Sequence, residues 1–212
     1  MSPLSRTSLL ACALAIGLGA AALPTLAQSG LRSTFPGRRV GGGTRGECSA
    51  RLIAHLVPAN SVYASGADRL LGILQGPSDK PHPLQITFRP QEPPTAPALD
   101  TRTLPAADVS IVLLRQPQIA GPTLWESTYQ CEQGQAGRSE DPLDFISAGS
   151  PPALSLLLKE PAPADATIQS GLSRLQKSCG STVPREEVER LFGLEDVMRD
   201  NWPARIPVRC AS

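Results

Sequence analysis

Short apolar runs separated by proline, glycine and polar residues constrain this chain more than any other feature. Runs of this kind, rich in Val, Ile, Thr and aromatic residues, are typical of antiparallel strands. They occur at Leu52–Val57, Leu70–Leu74, Leu84–Phe88, Val109–Leu114, Leu124–Cys131 and Leu143–Ile146. Leu84–Phe88 alternates cleanly between apolar and polar residues. The five prolines between Arg89 and Pro105 predict a loop or an extended edge, because proline cannot donate to a central ladder.

The apolar period changes in the C-terminal part of the chain. Ile168, Leu172 and Leu175 recur at spacings of four and three, which places them on one face of a helix that ends near Lys177. A second helix is predicted over 184–200, beginning at a proline that suits the first turn. We therefore predict a mainly β protein with C-terminal helices (α+β), in which an antiparallel β-sandwich-like domain is followed by a two-helix appendage.

The first 27 residues have the pattern of a cleaved secretory signal peptide. A short basic start is followed by an apolar run over Leu9–Leu23, and Thr25 and Ala27 place small residues before a cut ahead of Gln28. An uncleaved anchor is the alternative, but the run is short for the roughly 20 residues that a spanning helix needs. Cys12 lies inside the apolar run and is assigned to the signal. We expect a periplasmic or extracellular protein with no stable membrane anchor after cleavage.

The remaining chain divides by composition into three parts. Residues 28–48 form a Gly/Arg-rich arm, residues 49–150 a β-rich domain, and residues 151–212 a helical C-terminal region. The 20 Lys and Arg residues nearly balance 19 Asp and Glu residues, so the chain lacks the overall charge that favours nucleic acid binding.

Four cysteines follow the predicted signal, an even number that suits an oxidising compartment: Cys48, Cys131, Cys179 and Cys210. Zinc is the competing use, but no two of these cysteines form a Cys-x-x-Cys hook, so we predict two disulfides and no metal. Three pairings are open. We favour Cys48 with Cys131 and Cys179 with Cys210, because each pair then brackets one compositional half.

The arm holds the most unusual motif, Gly37-Arg38-Arg39-Val40-Gly41-Gly42-Gly43-Thr44-Arg45-Gly46. Its glycines match a dinucleotide-binding pattern by letter, but that pattern requires a preceding strand and a following helix, which are not predicted here. Arg38, Arg39 and Arg45 are candidate anion-binding residues on flexible backbone. The alternative, which we favour, is that glycine lets the arm cross a sheet closely while the arginines bond backbone carbonyls or acids of the same domain.

This motif, followed closely by Cys48, resembles the opening of an exported, mainly cyanobacterial family known as domain of unknown function 928. A later stretch from Leu124 through Tyr129-Gln130-Cys131 to Ser139 is similar to that family's aromatic strand, which ends in cysteine. The resemblance covers about Phe35 to Ser150. It implies secretion and a strand-rich core, makes a bridge between Cys48 and Cys131 plausible, and carries over no catalytic residue.

The sequence holds no recognisable catalytic motif. His55 and His82 are predicted to be structural or exposed, and Trp125 and Tyr129, four apart on one strand face, are predicted to pack in the core rather than to line a groove. We therefore expect an exported, non-enzymatic interaction domain with an unknown envelope or extracellular partner and no cofactor. The alternative is a periplasmic hydrolase whose active-site residues are dispersed along the chain.

Overall fold

The computed structural model describes residues 30–42, 51–130, 151–198 and 201–211. The strands are β1 (Val40–Gly41), β2 (Ile53–His55), β3 (Val62–Tyr63), β4 (Leu70–Gln75), β5 (Leu84–Pro90), β6 (Asp100–Leu104), β7 (Ser110–Arg115), β8 (Thr123–Tyr129), β9 (Ala153–Leu157), β10 (Thr182–Pro184) and β11 (Arg205–Cys210). The helices are α1 (Pro163–Gln176) and α2 (Arg185–Phe192), and a helical turn covers residues 30–34.

Two sheets form a sandwich. One has six strands in the order β1-β2-β4-β7-β11-β10, and the other has five in the order β3-β9-β8-β5-β6. Most neighbours are antiparallel, while β11 pairs with β7 and β3 pairs with β9 in parallel. The predicted mainly β fold with a sandwich and C-terminal helices is confirmed.

The facing sides of the two sheets build the main core. Strand β8 alternates buried and half-buried residues, and its inward side chains include the fully buried Trp125. Phe88 of the neighbouring β5 lies with its ring centroid 6.3 Å from that of Trp125. The predicted core positions of Trp125 and Tyr129 are thus observed, as the alternation along the strand requires.

Both helices cover the outer face of the six-stranded sheet. Ile168, Leu172 and Leu175 are the buried apolar side chains of α1, which confirms the predicted helical face. An added Cβ at Gly72 of β4 would lie 2.6 Å from the Leu172 side chain, so glycine permits close packing of the helix on the strand. The second helix is shorter than predicted, because it ends at Gly193 in the left-handed conformation (φ 58°).

The predicted helical region after residue 151 also supplies strands. Strand β9 lies between β3 and β8 inside the five-stranded sheet, and β11 lies between β7 and β10 in the other. Residues 151–212 are therefore part of the sandwich rather than an appendage beside it. The short, leucine-rich β9 carries no alternating pattern, since four of its five residues are buried.

A disulfide joins Cys179 to Cys210, with the two Cα atoms 5.7 Å apart. This disulfide connects the chain just after α1 to the end of β11. It is one of the two pairings that the sequence favours. On the chain-entropy estimate, a loop with a sequence separation of 31 residues gains about 3 to 4 kcal/mol of stability from such a bridge. Cys48 and Cys131 lie outside the described residues, as does the apolar run Leu143–Ile146.

Candidate functional site

The arm contacts both sheets of the sandwich. Its helical turn packs Leu31 and Phe35 against a small apolar cluster formed by Val62, Ala64, Leu156 and Leu158 on the outer side of the five-stranded sheet. It then joins the six-stranded sheet as edge strand β1, where Val40 pairs with Ala54. The arm is thus part of the fold and not only a surface strap.

Arg39 is held by three backbone carbonyls. Its guanidinium donates to the oxygens of Val57 at 2.9 Å, Phe192 at 2.8 Å and Gly193 at 2.7 Å. The last two acceptors form the C-terminal end of α2, where unpaired carbonyls and the helix dipole favour a cation. Burial lowers the pKa of Arg39, and the nearby Glu195 opposes that effect. Arg39 therefore fastens the arm to α2.

The other arginines of the arm point to different partners. Arg38 is exposed and donates from Nε to the carbonyl of Pro152 at 3.3 Å. Arg32, which the sequence analysis did not single out, binds the carboxylate of the fully buried Asp165 at 2.7 Å. Arg45 lies outside the described residues. Of the three candidate anion-binding arginines, the two described ones donate to separate carbonyls of the same domain.

His55 is enclosed between the sheets. Its Nδ1 lies 2.8 Å from Oγ of Ser155 and its Nε2 lies 2.9 Å from Oγ of Ser127, and all three residues are fully buried. The imidazole stacks on Trp125 with 3.6 Å between ring centroids. Burial holds the pKa of His55 well below its usual range, so the ring is neutral at physiological pH.

A serine hydrolase also places a histidine beside a serine, but the geometry here serves packing. Both ring nitrogens of His55 are occupied by serine hydroxyls, which leaves neither for an orienting carboxylate. Neither serine reaches the surface, so no substrate could meet its Oγ without opening the sandwich. His82 lies in the connection between β4 and β5. The hydrogen bonds and the stacking of His55 agree with the predicted structural role of this residue.

A polar cavity of about 370 Å³ lies where four strands begin or end. Arg69 directly precedes β4, Gln116 directly follows β7, Lys159 follows β9 and Gly66 follows β3. The remaining lining residues are Ser65, Pro117, Gln118, Ile119 and Leu158. The fold thus brings together two cations, a buried amide and an apolar wall from distant parts of the chain.

Arg69 has an unusual backbone conformation in this cavity. Its φ is +51°, in the left-handed region where a residue with a long side chain costs roughly 1 to 2 kcal/mol. The carbonyl of Arg69 accepts a bond of 2.7 Å from the backbone N–H of Gln116, which ties the two lining residues together. Strain of this kind is maintained only when the surrounding structure imposes it.

Two cationic side chains and one buried amide oxygen of the cavity lack a partner among the described residues. Within the described ranges, the Arg69 guanidinium and the Lys159 ammonium form no hydrogen bond or ion pair, and no Asp or Glu is among the residues that line the cavity. Gln116 is only 5% exposed, yet its Oε1 is buried without a hydrogen-bond partner. Most buried polar groups in proteins are paired, so this unpaired oxygen is an exception to the general pattern.

A second set of unpaired groups lies at the opposite end of β4. The terminal nitrogens of Arg51 and both amide atoms of Gln75 are buried with no hydrogen-bond partner. Arg51 stacks over the Tyr129 ring at 4.7 Å, and the Tyr129 hydroxyl donates to the carbonyl of Leu52 at 3.2 Å.

Another cavity of about 310 Å³ has a more apolar wall that includes Leu31, Pro90, Leu99 and Pro122. Leu99 is the large apolar side chain with the greatest exposure there, at 48%. Among the residues that the structure describes, no group of histidine, cysteine and acidic side chains is arranged to hold a metal ion, and no helix is long and apolar enough to span a membrane.

Sequence reasoning missed the polar cavity. Arg69, Gln116 and Lys159 stand alone in unremarkable loops, and no spacing or motif relates them. Only the strand order brings their positions together. No family model matches this chain, and no curated protein or solved structure matches it either.

Proposed function

We propose that this chain is an exported domain of the cell envelope or the extracellular medium that binds a partner and does not catalyse a reaction. The observation that carries the export part is the disulfide between Cys179 and Cys210, because such bridges persist in oxidising compartments. The signal-like residues 1–27 support the same location. Membership of the domain of unknown function 928 family, which the arm motif resembles, remains part of this proposal.

The proposed binding role is supported by a difference between polar side chains that have partners within the domain and polar side chains that have none. Arg39 and His55, the conspicuous residues of the sequence, are both occupied by contacts within the domain. Arg69 and Lys159 have no side-chain partner in the described part of the chain and border a cavity. Unpaired cations at a concave surface favour recognition of a ligand.

A second bridge between Cys48 and Cys131 belongs to the same proposal. Arg51 and Tyr129 are in contact, and they stand three and two residues from these cysteines along the chain. Segments of three and two residues reach about 10 Å and about 7 Å when extended, enough to bring two Cα atoms within the 4.4–6.8 Å of a disulfide.

The experiment follows the protein in cells that carry its gene. Fractionation and mass spectrometry should find the chain outside the cytoplasm, with an N-terminus at Gln28, and non-reducing peptide maps should show Cys179 joined to Cys210 and Cys48 joined to Cys131. A reduced, unprocessed chain in the cytoplasm would contradict export. Cys48 joined to Cys179 would contradict the pairing. The alternative, a hydrolase, would be favoured if His55→Gln abolished a measured hydrolysis while the protein stayed folded.

A further inference from the structure

The polar cavity has the size of a site for a small molecule. Its volume of about 370 Å³ corresponds to about a dozen water-sized groups, which matches the lower part of the range for ligand sites. It is too small to enclose a folded partner or a helix.

The charge of the cavity selects an anion. Arg69 and Lys159 lie on different loops and meet at the same cavity, and neither side chain has an acceptor among the described residues. The acids that follow or precede them in sequence, Asp68 and Glu160, are not among the lining residues. A carboxylate or a phosphate group would satisfy both cations through charge-assisted hydrogen bonds.

The buried amide of Gln116 adds a second requirement. Its Oε1 has no donor and is itself fully enclosed, so a ligand in the cavity reaches this oxygen when the amide turns toward it. A ligand that brought a hydroxyl or an N–H group to this oxygen would complete it, whereas a purely anionic ligand such as acetate would not. Pro117, Ile119 and Leu158 provide an apolar wall for the carbon atoms between the two groups.

The backbone of Arg69 directs its side chain to this place. Glycine or asparagine adopts a φ of +51° with less strain, so an arginine at this position costs stability. The bond from Gln116 N–H to the Arg69 carbonyl holds the two lining residues in a fixed relation.

We propose that this cavity binds a small hydroxylated anion, with its carboxylate or phosphate on Arg69 and Lys159 and a hydroxyl group on the Oε1 of Gln116. The proposal rests on the binding role proposed above and specifies the class of ligand. Sugar acids and phosphorylated polyols are the two sources of this chemistry, and both present an anion and hydroxyl donors on a short carbon chain.

The test is a titration of the purified, oxidised protein followed by backbone amide NMR. The probes are gluconate, glycerol 3-phosphate, neutral glycerol and acetate. Gluconate, glycerol 3-phosphate or both should give saturable shifts centred on residues 66, 69, 116 and 159. Which of the two binds more tightly identifies the carboxylate or the phosphate as the preferred group. Glycerol should give no saturable shift, and acetate should bind more weakly than gluconate.

Two variants separate the cavity from general charge effects. Arg69→Asn with Lys159→Gln should lower the affinity at least about tenfold, because it removes two charged donors. Asparagine tolerates the positive φ, so the fold is retained. The control, Lys177→Gln with Arg190→Gln, removes the same charge from exposed side chains of the helical region and should leave the affinity unchanged. Gln116→Leu should weaken gluconate binding about threefold to tenfold and leave acetate binding unchanged.

Each outcome of these experiments supports or overturns one of the two proposals. No saturable shift with gluconate or glycerol 3-phosphate overturns the proposal, and so does an equal loss of affinity in the two double variants. A bridged, exported protein without these shifts would overturn the ligand assignment alone. A reduced cytoplasmic protein with the shifts would overturn the export proposal alone.

Discussion

Arg39 and Arg69 are arginines of one chain that are used in opposite ways. Arg39 donates to three carbonyls and ties the arm to the end of α2. Arg69 adopts a strained backbone conformation and its side chain contacts no acceptor in the described part of the chain. In the arm, the half-buried cation Arg39 stabilises the fold. In the polar cavity, the cations remain available to a ligand.

The buried polar groups elsewhere in the sandwich show the same difference from the cavity. His55 has a hydroxyl partner at each ring nitrogen, and Asp165 accepts bonds from Arg32 and from the backbone N–H of Ala162. Gln116 leaves a buried oxygen unpaired. Because an unpaired buried polar group costs roughly 1 to 3 kcal/mol, its presence beside two unpaired cations favours a role in recognition.

Asp165→Asn should have the largest effect on the free energy of unfolding. The carboxylate is fully buried, binds Arg32 and also accepts the N–H at the start of α1, so its neutralisation should cost about 3 kcal/mol. Urea denaturation measures this loss. The matched control is Glu187→Gln, which affects the more exposed pair with Arg174 and should change the free energy by less than about 1 kcal/mol. Equal losses in the two variants would contradict the structural role of the arm.

Arg39→Gln should cost about 2 kcal/mol, because three carbonyls lose a charged donor. Arg38→Gln is its neighbour in the same motif and should cost less than about 0.5 kcal/mol, since Arg38 is exposed and makes one long side-chain bond. Denaturation of both variants under the same conditions gives the difference. A larger loss at Arg38 than at Arg39 would show that the contacts of Arg39 with α2 do not hold the arm in place.

The enclosed His55 should make stability depend on pH. Its pKa in the folded protein is far below the value of about 6.5 in an unfolded chain, so the unfolded state binds the additional proton as the pH falls below that value. Stability is therefore lost on acidification and should fall by about 1.3 kcal/mol between pH 7 and pH 5.5 from this group. The matched comparison is His55→Gln, whose difference from the parent should shrink by that amount over the same range. A difference that stays constant would show that His55 titrates alike in both states.

Lys159→Gln should have the smallest effect on stability. The ammonium is exposed and makes no contact with an acceptor among the described residues, so we expect a change within about 0.5 kcal/mol. Thermal unfolding without added anions tests this. A loss comparable with that of Arg39→Gln would show that the cavity cations also hold the fold together.

The sequence predicted the elements whose pattern is local. The alternation in Leu84–Phe88 and the helical face of α1 are both found in the structure, because each records burial on one side of a regular element. Strand β9 was missed since it is buried on both faces and has no alternation. Residues 151–212 could not be assigned to the sandwich from composition, because β9 pairs with β3 and β11 with β7, strands far away in sequence.

The partners of the functional residues could not be predicted from the sequence either, because they also come from distant parts of the chain. The Gly/Arg motif drew attention to Arg39, but only the fold shows that the end of α2 supplies its acceptors. Arg69 and Lys159 are 90 positions apart and become neighbours through the order of the strands. Nothing local in the sequence relates them.

The contrast between the two arginines is measured by the free energies of unfolding of Arg69→Asn and Arg39→Gln. Asparagine relieves part of the strain at positive φ and removes a cation that stabilises nothing within the described domain, so Arg69→Asn should equal or exceed the parent by about 0.5 kcal/mol. Arg39→Gln should fall about 2 kcal/mol below the parent. A loss in Arg69→Asn as large as that in Arg39→Gln would show that the Arg69 side chain stabilises the fold and is not reserved for a ligand.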